Sequence, residues 1–178
     1  MATHIAFLRA INVGGRGLVK MTDLRAVFAR AGGRDVRTYI NSGNVIFDAA
    51  PAGATAVTTK AGAALRALRG REPDILLRSL RQLAAMADDC PFAGRSGDGE
   101  TKLYVAFLAA APRAKTALPL LSDKEGLEVV AVRGRDAFIV SRRKRNGMFG
   151  FPNGFIEDAF EVRATTRNWT TVLKLLEG

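Results

Sequence analysis

One cysteine and one histidine in 178 residues leave little material for several common chemistries. Cys90 has no second cysteine to pair with, so an internal disulfide is excluded and a reducing cytoplasm is the expected setting. His4 stands alone as well, and a protein zinc centre draws on several His, Cys or carboxylate ligands. Neither a metal nor a cofactor is therefore expected. A Cys–His catalytic pair meets in space rather than in sequence. Nothing in "DDCPFAG" resembles an activated thiol, however.

Long apolar runs are also missing. The longest, "YVAFLAAAP" from Tyr104 to Pro112, falls well short of the ~20 residues of a membrane-spanning helix and reads as a core element. No membrane partner is expected. The N-terminus lacks a basic start, a long apolar region and a small-residue cleavage site, so no signal peptide is expected. The nucleotide motifs are absent too. In "LRAINVGGRGLVKM" the Walker pattern fails because Lys20 is followed by Met21 and has no glycine before it. The dinucleotide fingerprint fails because its last glycine position, counted from Gly15, is Lys20.

Positive charge is what the chain has in excess. The formal net charge is +10, concentrated in residues 1–50 and, more densely, in "RGRDAFIVSRRKRNG" from Arg133 to Gly147. Such asymmetry fits anionic partners: a phosphate-bearing small molecule or nucleic acid. An arginine-rich, alanine-rich composition and a solvated charged face account for the same excess without any partner.

The order of elements points to an α+β fold. "HIAFLRAINV" reads as a buried central strand. "MTDLRAVFARAGG" is a helix, with Met21, Leu24, Val27, Phe28 and Ala31 on one face, Thr22 as its cap and Gly32 and Gly33 at its end. "DVRTYINSGNVIFDA" is a hairpin whose turn uses Asn41, Gly43 and Asn44. A second helix follows in "ATAVTTKAGAALRALRG", then a strand in "PDILLRSL". A short helix, "SLRQLAAMADD", has Ser79 as its cap. "CPFAGRSGDGE" reads as a linker.

The order then begins again. "KLYVAFLAA" is a strand and "RAKTALPLL" a proline-interrupted helix. "LEVVAV" and "DAFIVS" form a hairpin, and "NGFIEDAF" is a helix. The last helix is placed in "TTRNWTTVLKLLEG", with an apolar stripe of Trp169, Val172, Leu173 and Leu176. The two halves share an element order, with no residue-level repeat visible. The expected fold is two ferredoxin-like (split βαβ) subdomains with antiparallel sheets and helices on one face. They are placed at 1–90 and 101–178, packed together, with a linker at 91–100.

Several residues are candidates for a site. Gly14, Gly15 and Gly17 let backbone N–H groups converge on an anion, and Arg16 and Lys20 supply charge. The same glycines equally allow a sharp turn after a buried strand. Arg9 interrupts an apolar strand, which is costly unless it is paired or reaches the strand end. Beside Asn12 it can line a site. Arg167, placed at or just before a helix N-terminus, is unfavourable there unless an anion or carboxylate is near. Thr165, Thr166 or Asn168 can cap that helix.

Three motifs, "LRAINVGG", "TYINSGNVIF" and "ATTRNWTTVLKLL", together resemble the bacterial family known as domain of unknown function 1697, over Ile5 to Leu176. The family usually has a glycine where Ala10 stands, and N-W-N-T where this chain has Asn168-Trp169-Thr170-Thr171. The resemblance implies an α+β fold of two related subdomains and no established reaction, cofactor or partner. It marks as motif residues Arg9, Asn12, Gly14, Gly15, Ser42, Gly43, Asn44, Arg167, Asn168 and Trp169.

Three functional readings follow. One is binding of a phosphate-bearing anionic ligand, either a nucleotide-like metabolite or nucleic acid stacked on sheet aromatics such as Tyr39, Phe47, Tyr104 and Phe138. Another is a small metal-independent enzyme in which Arg9, Asn12, Ser42 and Arg167 stabilise developing charge. The third is a protein-interaction module.

Overall fold

The computed structural model describes residues 1–12, 19–92, 94–95, 97–114 and 116–177, with the backbone alone at Arg69. Gly14, Gly15, Arg16 and Gly17 lie outside the described residues. The chain divides into two compact units, Met1–Ala84 and Ala85–Gly178. No helix of the described residues is long and apolar enough to cross a membrane.

The first unit runs β1 (Ala2–Leu8), α1 (Met21–Arg30), β2 (Arg34–Tyr39), β3 (Asn44–Ala49), α2 (Ala54–Arg69), β4 (Ile75–Ser79) and the start of α3 (Leu80–Asp88). Its sheet has the order β2-β3-β1-β4, with every pair antiparallel. The elements thus run β-α-β-β-α-β before α3. β1 is central because it is apolar on both faces: Ala6 and Leu8 point one way, Ile5 and Phe7 the other, and all four are fully buried.

Register places Val45 opposite Ala6 and Phe47 opposite His4, so these residues share a face. Leu24, Val27 and Phe28 of α1 and Val57, Ala61 and Leu65 of α2 close over that face. The Phe28 and Phe47 rings meet at 5.6 Å. Each buried phenylalanine contributes ~1.5–3 kcal/mol of transfer free energy. α1 starts one residue earlier than its expected cap. Lys20, in extended conformation, holds the N-cap place with no side-chain bond, and its carbonyl accepts from Asp23 and Leu24 N–H. Ser79 does cap α3, in a reciprocal capping box with Gln82.

The second unit runs from the end of α3 through β5 (Thr101–Leu108), β6 (Leu120–Ser122), β7 (Leu127–Arg133), β8 (Asp136–Arg142), α4 (Asn153–Phe160), β9 (Ala164–Asn168) and α5 (Trp169–Leu176). Its sheet has the order β6-β7-β8-β5-β9. Tyr104, Ala106, Leu108 and Ile139 pack with Ile156 and Phe160 of α4 on one face. On the other, Phe92 stands edge-on to both Phe138 and Trp169, at 5.8 and 5.4 Å.

Two expectations fail in this unit. "RAKTALPLL" forms no helix among the described residues; its end contributes β6. Pro119 removes a backbone donor and biases Leu118 away from helical dihedrals. The segment "ATTRN" is the strand β9, not the lead-in to a longer helix. Thr165 and Thr166 are buried by pairing with β5, a contact that a local apolar pattern does not announce. The core face of α5 is Trp169, Val172 and Leu175, while Leu173 is left exposed.

Candidate functional site

In the first unit, the motif residues that are described hold the backbone together. The Asn12 carboxamide spans the ends of the 13–18 segment: Oδ1 accepts from Val19 N–H at 3.0 Å and Nδ2 donates to Val19 O at 3.2 Å. Nδ2 also lies 3.3 Å from Asn41 O in the β2–β3 turn. Asn44 is fully buried and donates to Tyr39 O and to Ser42 Oγ. Gly43 has φ +76°, and a Cβ there would lie 2.5 Å from Ile11 Cγ2. Its carbonyl accepts from Leu8 N–H at 2.8 Å. Arg9 lies 3.7 Å from Asp74 Oδ2 and donates its backbone N–H to Asp74 O. Ala10 takes φ +51°, a left-handed conformation that a glycine would adopt at lower cost.

In the second unit, Arg167 is buried within β9. Nη1 donates to Thr165 Oγ1 at 2.8 Å and to Thr166 O at 2.9 Å. Burial lowers its pKa to about 10, so it remains cationic at neutral pH. It stands just before the N-terminus of α5, where Asn168 is the N-cap. Asn168 Oδ1 accepts from Thr170 N–H at 3.0 Å and from the Thr170 hydroxyl, which closes that helix end with protein groups.

Strand register exposes a residue-level repeat that the sequence hides. Ile5-Ala6-Phe7-Leu8 in β1 corresponds to Val105-Ala106-Phe107-Leu108 in β5. Opposite Ile5 stands Arg78, and opposite Val105 stands Arg167. Each arginine is buried, and each sends Nη1 to the carbonyl of the residue before it, at 2.8 and 2.9 Å. Each is followed by a capping residue, Ser79 or Asn168, and a helix. The Arg-cap-helix motif is therefore an architectural corner used twice.

A cleft of about 420 Å³ opens within the second unit, beside the start of β5 and the β9–α5 junction. Its apolar lining is Cys90, Phe92, Leu103, Trp169 and Leu173. Its polar lining includes Arg95, Asp98, Thr101, Lys102, Asn168 and Thr170. Asn168 and Trp169 were singled out in sequence; Arg95 and Lys102 were not. The stretch 90–100, read as a linker, supplies much of one wall, and Phe92 anchors it with 2% of its surface exposed.

The charged groups at this cleft differ in how they are paired. Glu128 is nearly buried and is shared by two guanidiniums: Arg95 Nη1 at 3.1 Å from Oε1 and Arg142 Nη2 at 2.6 Å from Oε2. Burial pushes the Glu128 pKa up, and the two arginines more than reverse this, leaving it below the ordinary value. The triad carries one unit of net positive charge, and of its three members Arg95 lines the cleft. Lys102 Nζ lies 4.5 Å from the centroid of the Phe149 ring, with no carboxylate partner among the described residues. Asp98 is the one acidic side chain lining the cleft among the described residues. Its Oδ1 is occupied by Thr101 Oγ1, Thr101 N–H and Glu100 N–H, bonds that hold its pKa low.

The arginine run outside the cleft is engaged differently. Arg142 meets Glu128, Arg143 meets Glu100 and Lys144 meets Glu125; upstream, Arg133 meets Asp89. Three of the four aromatics considered for base stacking, Phe47, Phe138 and Tyr104, are core residues with 9% or less of their surface exposed. Among the described residues no group of three His, Cys, Asp or Glu side chains is placed to hold a metal ion.

Comparison with known proteins gives a family and a fold. The family model described as "Protein of unknown function (DUF1697)" matches residues 1–138. Among solved structures, the conserved bacterial protein SP0830 from Streptococcus pneumoniae is similar over 99% of this chain and 97% of that one, with a TM-score of 0.59 and 21% identity. No curated protein matches.

Proposed function

Because the chain belongs to the DUF1697 family, whose description assigns no activity, a function has to be read from the cleft, and we propose that it binds a small phosphate-bearing anion there. The observation that carries this is the charge of the lining. Arg95 and Lys102 bring more positive charge to a half-apolar cleft than Asp98 offsets, and the cleft size suits one small ligand. The excess on Arg143 and Lys144 has separate carboxylates within reach, so a small ligand suits the chain better than a nucleic-acid backbone. A single exposed cysteine supports a cytoplasmic setting, and the two strand orders support a ferredoxin-like origin for each unit.

A thermal-shift screen tests the reading. Sugar phosphates and mononucleotides are expected to raise Tm in a concentration-dependent way; saturation at a hundred times Kd adds about 2.7 kcal/mol. No shift with any small phosphate compound, together with salt-sensitive binding of a single-stranded oligonucleotide, would overturn it in favour of nucleic acid.

A further inference from the structure

We infer that the ligand is a nucleoside monophosphate rather than a bare phosphate or a sugar phosphate; the inference rests on the anion-binding reading above. It starts from Leu173. This leucine lies outside the core face of α5, is 37% exposed, and lines the cleft one helical turn from Trp169. Trp169 and Leu103 continue the apolar lining beside it. An inorganic phosphate or a sugar phosphate has no apolar surface to match such a wall. A planar base does, and rings gain contact energy against aromatic and aliphatic side chains.

The remaining polar groups suit a ribose. The Thr170 hydroxyl donates to Asn168, so it keeps acceptor capacity toward a sugar hydroxyl. Asn168 uses Oδ1 as the helix cap, and its Nδ2 donors have no acceptor among the described residues. The cleft thus carries cations for a phosphate, hydroxyl and amide groups for a sugar, and an apolar wall for a base. Its volume of about 420 Å³ lies within the usual range for one small ligand.

Calorimetric titration of the full chain with adenosine monophosphate, ribose 5-phosphate and adenosine separates these contributions. Trp169 is the chain's only tryptophan, so its emission reports occupancy of this cleft. The monophosphate is expected to bind about tenfold more tightly than ribose 5-phosphate and to change Trp169 emission. Leu173→Gln, which removes apolar surface without adding charge, is expected to weaken the monophosphate about tenfold while leaving ribose 5-phosphate unchanged. Equal affinities for those two ligands, an inert Leu173→Gln, or binding without a change at Trp169 would overturn the base assignment while leaving anion binding in place. Failure of both phosphate compounds to bind, or adenosine binding as tightly as its monophosphate, would overturn the anion-binding reading and the inference with it.

Discussion

Replacing Gly43 by alanine tests whether the Ser42-Gly43-Asn44 motif is architecture. Two separate penalties apply. The left-handed backbone, φ +76°, costs a residue bearing a Cβ ~1–2 kcal/mol. The new methyl would also sit 2.5 Å from Ile11 Cγ2 and 3.1 Å from Leu8 Cβ, in a place where both neighbours are buried. Overpacking of that kind costs ~1–3 kcal/mol. Together they predict a loss of about 3 kcal/mol. Gly70→Ala is the matched control: φ is +75° and nothing lies within 4 Å of the added Cβ, so only the backbone penalty remains. Urea denaturation of the two variants should show midpoints shifted by unequal amounts with similar m-values. Ile11→Ala should recover part of the difference in a double-mutant cycle. If Gly43→Ala costs no more than Gly70→Ala, the hairpin turn is not packed against Ile11 and the structural account of this motif fails.

Three further predictions follow from single sites. Ala10→Gly relieves a left-handed alanine at φ +51° and should stabilise by ~0.5–1 kcal/mol, after the entropy cost of glycine; a lower urea midpoint would contradict this. His4 is buried against Phe47 with no hydrogen-bond partner for Nε2, and burial lowers its pKa. The unfolded chain therefore binds a proton first. Stability from His4 is fully present above pH ~6.5 and falls as pH drops below it, and His4→Phe should flatten that part of the stability–pH curve. Glu128→Gln leaves Arg95 and Arg142 without their shared carboxylate, and should cost ~1–3 kcal/mol after allowance for the exposure of both arginines; an unchanged urea midpoint would show that the triad is not formed.

What was legible in the sequence was what local physics decides. α1 announced itself by apolar spacing, and the β2–β3 and β7–β8 hairpins by alternation and turn residues. The capping role of Ser79 followed from its position before an amphipathic run. What was hidden depends on partners far along the chain. β9 is a threonine-rich strand whose burial comes from β5, so its own pattern is silent. The residue-level repeat is obscured because the first unit has α1 where the second has an irregular stretch and β6. Only register aligns Arg78 with Arg167. The cleft is hidden for a related reason. Glycines, a proline and polar residues marked 91–100 as a linker, yet the single Phe92 side chain pins that stretch to the sheet. Arg95 is set by Glu128 and Lys102 by Phe149, partners distant in sequence, so their own local pattern is silent as well.

The central claim is that positive charge lining this cleft binds a phosphate-bearing ligand. Lys102→Glu tests it most directly, since Lys102 is exposed and lies outside the core. Titration with adenosine monophosphate at fixed ionic strength should show affinity falling about tenfold or more and a weaker dependence on salt. An affinity and a salt dependence equal to those of the unaltered chain would contradict the claim.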